Sequence, residues 1–417
     1  MYIKRQLFNE LKAHLSQKEI TLLTGPRQAG KTTLLNLLRE YVESLGNKTI
    51  GFNLDIEADS RFFDSQENLL RKLSLELGQS AGYVFIDEIQ RKENAGVFLK
   101  GLYDMNLPYK FIVSGSGSLE LKEKIHESLM GRKRVFELST LSFEEFVNYK
   151  TNYRYEQKLS EFFEVESRKT NGLLEEYMFL GGYPRIVLED SVHEKSKIMS
   201  ELYQSYLERD ISYLLNVQKT ERFTSLARLL ASQIGQLATI SEIANTLNLN
   251  VATVNNYLWY MEKTFALHKV TPYFKNVRKE LTKTPVYYFY DLGMRNYALG
   301  SYGNVTLPNE SGFLFQNFIH NLLIEKITNT SHQIHHWRTT DKAEVDFVIN
   351  KNTEVIPVEV KYKTLKSPEV SRSFQNFISV YQPSKGYIIH LGDTMQTTLN
   401  DTNIQIMNWS QFLFEAL

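Results

Sequence analysis

Between residues 19 and 45 the chain passes from a short apolar run, through a loop bounded by two glycines, into a segment with helical spacing. The loop reads Gly25-Pro26-Arg27-Gln28-Ala29-Gly30-Lys31-Thr32, which fits the pattern G-x-x-x-x-G-K-T. Glycines at both ends let backbone N–H groups close around an anion, and the helix that follows points the positive end of its dipole at the same place. The spacing predicts a phosphate cradle formed by Gly25, Pro26, Arg27, Gln28, Ala29, Gly30, Lys31, Thr32 and Thr33. Lys31 reaches the β- and γ-phosphates of a nucleoside triphosphate in that arrangement, and the Thr32 hydroxyl meets a magnesium ion. A strand before the loop and a helix after it argue against an ordinary glycine turn.

Further buried-strand candidates follow at Lys48–Leu54, Gly82–Ile86, Lys110–Val113 and Val135–Leu138, with helical stretches between them. That alternation predicts a mostly parallel sheet covered by helices. The run Tyr83-Val84-Phe85-Ile86 ends in Asp87-Glu88. Asp87 is expected beside the magnesium ion and Glu88 where it polarises the attacking water. Phe111-Ile112-Val113 ends at Ser114 and Gly115. Ser114 either orients the water or the γ-phosphate, or is simply a turn-forming serine.

At 417 residues the chain is long enough for two or three domains. No stretch reaches the roughly 18 consecutive apolar residues of a membrane helix, so no membrane role is expected. Met1 to Lys18 mixes Lys4, Arg5, Lys12 and Lys18 with scattered apolar residues, which reads as a surface helix rather than a signal peptide. There is no cysteine, which excludes disulfides, thiolate metal sites and cysteine nucleophiles and points to a reducing cytoplasm. The 48 basic and 48 acidic residues cancel, so a case for nucleic acid has to rest on local patches.

Taken together, Gly25 to Thr33, Phe85-Ile86-Asp87-Glu88-Ile89-Gln90, Ser114-Gly115-Ser116, Gly131-Arg132, Leu141-Ser142-Phe143-Glu144-Glu145 and Gly181-Gly182-Tyr183-Pro184 resemble a known family. It is the prokaryotic AAA-type (AAA_14) P-loop ATPases that carry a DUF4143 region at the C-terminus. The resemblance runs along nearly the whole chain. It implies an additional-strand (ASCE) ATPase core with Glu88 as the catalytic carboxylate, Arg132 or Arg134 as an arginine finger, and Arg185 as a sensor. The plainer reading of these arginines is a solvated loop.

Ile240 to Leu249 and Asn250 to Leu258 read as helix, tight turn, helix, with Ile243, Ala244 and Leu247 packing against Val254 and Leu258. A strand-rich stretch follows, as in a winged helix, which the family also has here. Asn250, Thr253, Asn255 and Asn256 are the candidates for base edges. Between Lys269 and Lys283 there are five basic residues (Lys269, Lys275, Arg278, Lys279, Lys283) against one acidic, Glu280, with Tyr273 and Phe274 among them. Such a wing suits phosphate contacts. The second helix carries no lysine or arginine, which is unusual for a DNA-reading helix and leaves a protein-docking module as the competing reading.

Near the C-terminus, Glu344 and Asp346 alternate with Val345 and Phe347, and Glu359 and Lys361 with Val358 and Val360. Two acidic strands in a hairpin can hold magnesium through Asp346 and Glu359, with Lys361 stabilising an attacking water or the phosphate. The pattern resembles PD-(D/E)xK nucleases. Where those folds often carry an acid on the preceding helix, this chain has Gln316. His332, His335 and His336 lie close in sequence, but alternation keeps His335 and His336 on opposite faces and argues against a shared metal.

The expected fold class is α/β: a P-loop NTPase core over 1–147, a helical lid over 148–217, a winged helix-turn-helix over 218–303 and a restriction-endonuclease-like domain over 304–417. The expected function is ATP hydrolysis with magnesium, catalysed by Lys31, Glu88, Ser114 and Arg132 and coupled to DNA binding. The alternatives are a nucleotide switch that binds protein partners, or a nuclease gated by ATP. An arginine finger acting in trans implies a homo-oligomer.

Overall fold

The computed structural model describes residues 2–115, 129–207, 221–274, 283–303 and 311–417. Lys275, Arg278, Lys279 and Glu280 of the expected wing lie outside the described residues. The chain divides into two compact units. One contains Met1–Lys150, Gly182–Thr220 and Trp259–Ala266, the other Thr151–Gly181, Glu221–Leu258 and Leu267–Leu417.

In the first unit, strands β1 (Ile20–Thr24), β2 (Thr49–Asn53), β3 (Gly82–Asp87), β4 (Tyr109–Ser114) and β5 (Lys133–Glu137) form one parallel sheet in the order β2-β3-β4-β1-β5. Strand β4 thus stands between the strand that leads into the glycine loop and the strand that ends in Asp87. This is the additional-strand order that the resemblance implies. Alternation along β3 explains why both faces are covered. Val84 and Ile86 join Leu69, Leu73 and Leu77 of the helix Gln66–Leu77 and Leu99 and Leu102 of the helix Ala95–Asp104. Phe85 points the other way, to Leu34, Leu35, Leu38 and Val42 of the helix Lys31–Ser44.

Helical spacing between 148 and 207 is realised as helices, which divide between the units. Leu159–Val165 and Ser167–Leu180 group with the second unit, Pro184–Leu188 and Val192–Ser205 with the first. Gly181 ends the helix before it at φ +80°, and a Cβ there would lie 2.3 Å from Asp291 Oδ1. Asp291 in turn caps the helix Leu292–Leu299 by accepting from Met294 N at 2.9 Å.

The second unit continues with the helix Glu221–Ser232, a bridge from Leu237 to Val286, the helix Ile240–Leu247 and the helix Val251–Lys263, whose residues from Trp259 group with the first unit. A hairpin of β6 (Leu267–Val270) and β7 (Val286–Phe289) follows, so helix, helix and hairpin come in the order of a winged helix. Ile243, Ala244, Val254 and Leu258 are buried and Leu247 is half-buried. After the helix Ser311–Ile327 comes a mixed sheet of β8 (Gln333–Arg338), β9 (Glu344–Asn350), β10 (Val355–Val360), β11 (Lys385–His390), β12 (Met395–Leu399) and β13 (Thr402–Asn408). Its order is β12-β13-β11-β10-β9-β8, with β10, β11 and β13 parallel, which is compatible with a nuclease-like α/β domain. The helix Arg372–Tyr381 covers this sheet with Phe374, Phe377 and Ile378 against Ile388, Ile404 and Ile406.

Three histidines are folded in as neutral rings. Burial pushes His14, His320 and His336 down to about 4, with Lys110 and Arg134 adding to the effect on His14. Unfolded histidines titrate near 6.5, so between about pH 6.5 and 4 the unfolded chain binds more protons than the folded one. Stability is therefore expected to fall as pH falls through that window. Thermal melts from pH 8 to 4 check this, and His14→Gln should flatten the fall.

Candidate functional site

The glycine loop lies at the C-terminal end of β1. Gly25 sits at φ +152°, and a Cβ added there would meet Leu138 O at 2.0 Å, so only glycine allows the loop to pass this strand end. Gly30, at φ +97°, starts the helix Lys31–Ser44, whose first free N–H groups face the loop. Lys31 is buried, and its Nζ donates to Gly25 O at 3.0 Å and Pro26 O at 2.7 Å. The ammonium is held over the loop by the loop's own carbonyls.

Three strand or helix ends converge on Asp87. Thr32 Oγ1 donates to Asp87 Oδ2 at 2.7 Å, Ser114 Oγ donates to Asp87 Oδ1, and Glu88 N donates to the same Oδ1 at 3.0 Å. Thr32 comes from the first turn of the helix Lys31–Ser44, Asp87 from the end of β3 and Ser114 from the end of β4, which stands between β3 and β1 in the sheet. A hydroxyl and a carboxylate so placed form a hard oxygen donor set of the kind magnesium takes beside nucleotide phosphates. Glu88 is in the left-handed region at φ +56°, which turns its side chain away from the strand direction. Its Oε2 accepts from Gln90 Nε2.

Two arginines fall on opposite sides of this picture. Arg185, on the short helix Pro184–Leu188, donates to Gln28 Oε1 of the glycine loop at 2.9 Å and to Glu201 at 3.2 Å. Arg132 is not brought to the cluster. Its carbonyl accepts from Ile20 N at 2.9 Å, at the start of β1, and its guanidinium pairs with Asp104 at 2.7 Å. The five-residue β1 separates it from the loop by about 16 Å at ~3.3 Å per residue. Arg134 likewise sits beside Thr21, near the start of β1.

The sequence reading missed Arg5. Its Nε donates to Glu145 Oε2 at 2.8 Å, Nη1 to Ala29 O of the glycine loop at 2.8 Å, and Nη2 to Ser139 O at 2.8 Å and Thr140 O at 3.2 Å. Glu145 also accepts from Gln6 N at 2.7 Å and Ser142 N at 3.1 Å. One signal was legible: Ser142-x-x-Glu145 ahead of Phe146 and Val147 is a capping box, and Glu145 N donates back to Ser142 Oγ at 3.2 Å. No local pattern marks Arg5 as its partner 140 residues away.

In the second unit, β9 and β10 pair with Phe347 opposite Val358, and the same register continued puts Asp346 opposite Glu359. Asp346 accepts from Gln316 Nε2 at 2.9 Å and Val360 N at 2.7 Å. Burial pushes its carboxyl up to about 7. Glu359 pairs with Lys361 at 2.6 Å and accepts from Ser371 Oγ at 2.9 Å. Glu344 is exposed and pairs with Arg338 at 3.3 Å. The two inward carboxylates are thus satisfied by this chain's own donors, Gln316 turns an N–H toward them, and among the described residues no group of three His, Asp or Glu converges. This donor set does not fit a divalent cation as it stands. His335 Nδ1 faces Thr271 Oγ1 at 3.2 Å and His336 Nε2 faces Thr284 O at 3.2 Å, so the two rings serve separate partners.

On the helix Val251–Lys263, Asn255 and Asn256 are exposed and Thr253 is half-buried. Asn250 is engaged locally, its Oδ1 accepting from Thr253 N at 2.6 Å. Lys269 and Lys283 are the exposed cations of the hairpin among the described residues.

Residues 17–147 match the family model described as an AAA domain, residues 171–303 a domain of unknown function (DUF8612), and residues 311–412 a domain of unknown function (DUF4143). An uncharacterized protein of Haemophilus influenzae is 24% identical over 94% of this chain and 94% of its own length. An uncharacterized protein of Mycobacterium tuberculosis is 26% identical over 97% of this chain and 83% of its own. Among solved structures, the Aeropyrum pernix Orc1 protein in complex with DNA aligns with a TM-score of 0.31 and 14% identity, covering 70% of this chain and 91% of that one. Cdc6p from Pyrobaculum aerophilum aligns at 0.31 and 11% identity, covering 76% of this chain and 96% of that one. Among the described residues no helix is long and apolar enough to cross a membrane.

Proposed function

We propose that this chain, with its AAA domain at residues 17–147 and its DUF4143 domain at residues 311–412, hydrolyses ATP and couples the nucleotide state to DNA binding. The observation that carries the ATPase half is the convergence of Thr32, Ser114 and Asp87 beside Lys31 and Glu88. The loop N–H groups and Lys31 bind the phosphates, Lys31 neutralising charge that spreads onto the γ-phosphoryl oxygens as the bond to the β-phosphate breaks. Thr32 and Asp87 would hold a magnesium ion, whose chemistry is to neutralise charge across the β- and γ-phosphates. Glu88 accepts a proton from the attacking water and fixes its line of approach. Arg185, already on Gln28, meets the γ-phosphate side of the loop and senses whether it is filled. Arg132 is too far from this chain's loop to act there, so its finger role belongs to the site of a second copy, which makes self-assembly part of this reading.

The DNA half rests on the winged-helix order of elements, with exposed Asn255 and Asn256 at the base edges and Lys269 and Lys283 on the phosphates. Duplex affinity should fall steeply with salt, and Lys269→Ala or Lys283→Ala should each reduce the slope of log K against log salt by about 1. The test is ATP turnover with and without duplex at two salt concentrations: stimulation that fades with salt supports coupling. Affinity indifferent to salt would instead favour protein docking, which the uncharged exposed face of Val251, Ala252, Asn255 and Asn256 also suits.

A further inference from the structure

Beside the hairpin of the second unit lies an open cavity of about 750 Å³, of whose lining the roles above use only Lys269. Its size is in the range of small-molecule and nucleotide sites, roughly 300–1,000 Å³. One wall carries the rings of Tyr273, Phe274 and His335. The backbone beside them is tied to β8: Tyr273 N donates to His336 O at 2.6 Å, and His336 N to Thr271 O at 3.1 Å, which makes a single parallel bridge between Pro272 and His336. Three carboxamides, Gln333, Asn350 and Asn352, and the exposed Lys269 also line it. Among the described residues no carboxylate lines the cavity.

His320, which is fully buried, lines it too. Asn321 donates through Nδ2 to Phe289 O at 3.2 Å and Tyr290 O at 3.0 Å, which leaves its Oδ1 to accept from His320 Nδ1 at 3.1 Å. The proton of the neutral ring is therefore on Nδ1, and Nε2 is a bare acceptor with no hydrogen-bond partner among the described residues. A buried acceptor of this kind calls for a donor. Flat rings to stack on, carboxamides that both give and take hydrogen bonds, an N–H-seeking acceptor, one cation and no carboxylate are complementary to a nucleobase with its phosphate.

We propose that this cavity binds a nucleobase, supplied by an unpaired stretch of a nucleic-acid strand or by a free nucleotide. The base lies on the Tyr273–Phe274 wall, its polar edge meets the carboxamides, and its phosphate sits toward Lys269. The strand version rests on the nucleic-acid reading above; the nucleotide version does not.

The experiment uses the full chain and the fluorescence of 2-aminopurine, which is quenched when the base stacks. Three probes are compared: a single-stranded oligonucleotide carrying one 2-aminopurine, the same strand in a duplex, and free 2-aminopurine riboside monophosphate. Quenching in the single strand is expected. Phe274→Ala should weaken single-strand binding by about ten-fold, the scale of one lost base stack, and leave duplex affinity unchanged. Asn352→Gly, at an exposed position whose φ of +69° glycine adopts freely, should weaken it by several-fold in the same way. Quenching of the free nucleotide with no binding of either oligonucleotide supports the cavity and overturns the DNA reading. Duplex binding with no response to the single strand or the nucleotide overturns the cavity proposal alone. So does single-strand binding that neither variant changes. No response to any of the three overturns both.

Discussion

Glu88→Gln is expected to lower the rate of ATP hydrolysis by about 10²–10⁴-fold, the contribution of a positioned general base, while leaving ATP binding in place. The substitution keeps the size of the side chain and removes only its capacity to accept a proton. The phosphate contacts come from the loop and from Lys31, whose Nζ is already held over Gly25 and Pro26. Lys31→Ala is expected to abolish turnover with a different signature, because it removes charge needed both to bind the triphosphate and to stabilise the transferring phosphoryl group. Steady-state phosphate release, read beside equilibrium binding of a non-hydrolysable ATP analogue, separates the two. Undiminished turnover in either variant would remove the glycine-loop site as the source of the activity.

The second large effect concerns a residue that touches no substrate. Arg5→Ala is expected to destabilise the first unit by roughly 3–5 kcal/mol, the cost of stranding one member of a buried ion pair. The side chains of Arg5 and Glu145 are 8% and 7% exposed, so solvent does little to replace the lost partner. The carbonyls of Ala29, Ser139 and Thr140 lose their donor at the same time. For a unit of this size the melting temperature should drop by on the order of 10 °C. Because one of those carbonyls belongs to the glycine loop, KM for ATP should rise in the molecules that remain folded. Arg5→Lys should recover part of the stability, since an ammonium can meet Glu145 but cannot span it, Ala29 and Ser139 together. If Arg5→Ala melts like the wild type, the network is not the clamp described here.

How far the sequence carries can be judged element by element. The helix from Lys31 and the strands ending at Thr24, Asp87 and Ser114 were legible to within one or two residues, because each buries a face whose period is written locally. The helix–turn–helix around Asn250 was legible for the same reason. Strands β11 to β13 were not singled out. The last two, read as Met395–Leu399 and Thr402–Asn408, mix threonine, glutamine and asparagine into an edge hairpin with a weak apolar signal. The C-terminal carboxylates were placed on the right faces, yet their pattern suggested a metal site. In the fold, Lys361, Ser371 and Gln316 already occupy Glu359 and Asp346.

What the sequence alone determined is the chemistry that depends on spacing along the chain: a glycine loop between strand and helix, a strand ending in two acids, and the residue types each brings. A loop's φ requirements and a strand's alternation are local, so a few consecutive residues state them. Tertiary structure alone decided which of those residues meet. The insertion of β4 between β1 and β3 sets Ser114 against Asp87. The start of β5 leaves Arg132 at the wrong end of the sheet, and the path of the N-terminal segment brings Arg5 to Ala29 and Glu145. Such contacts join positions up to 140 residues apart. They follow from how sheets order and helices pack, which no local pattern of residues records.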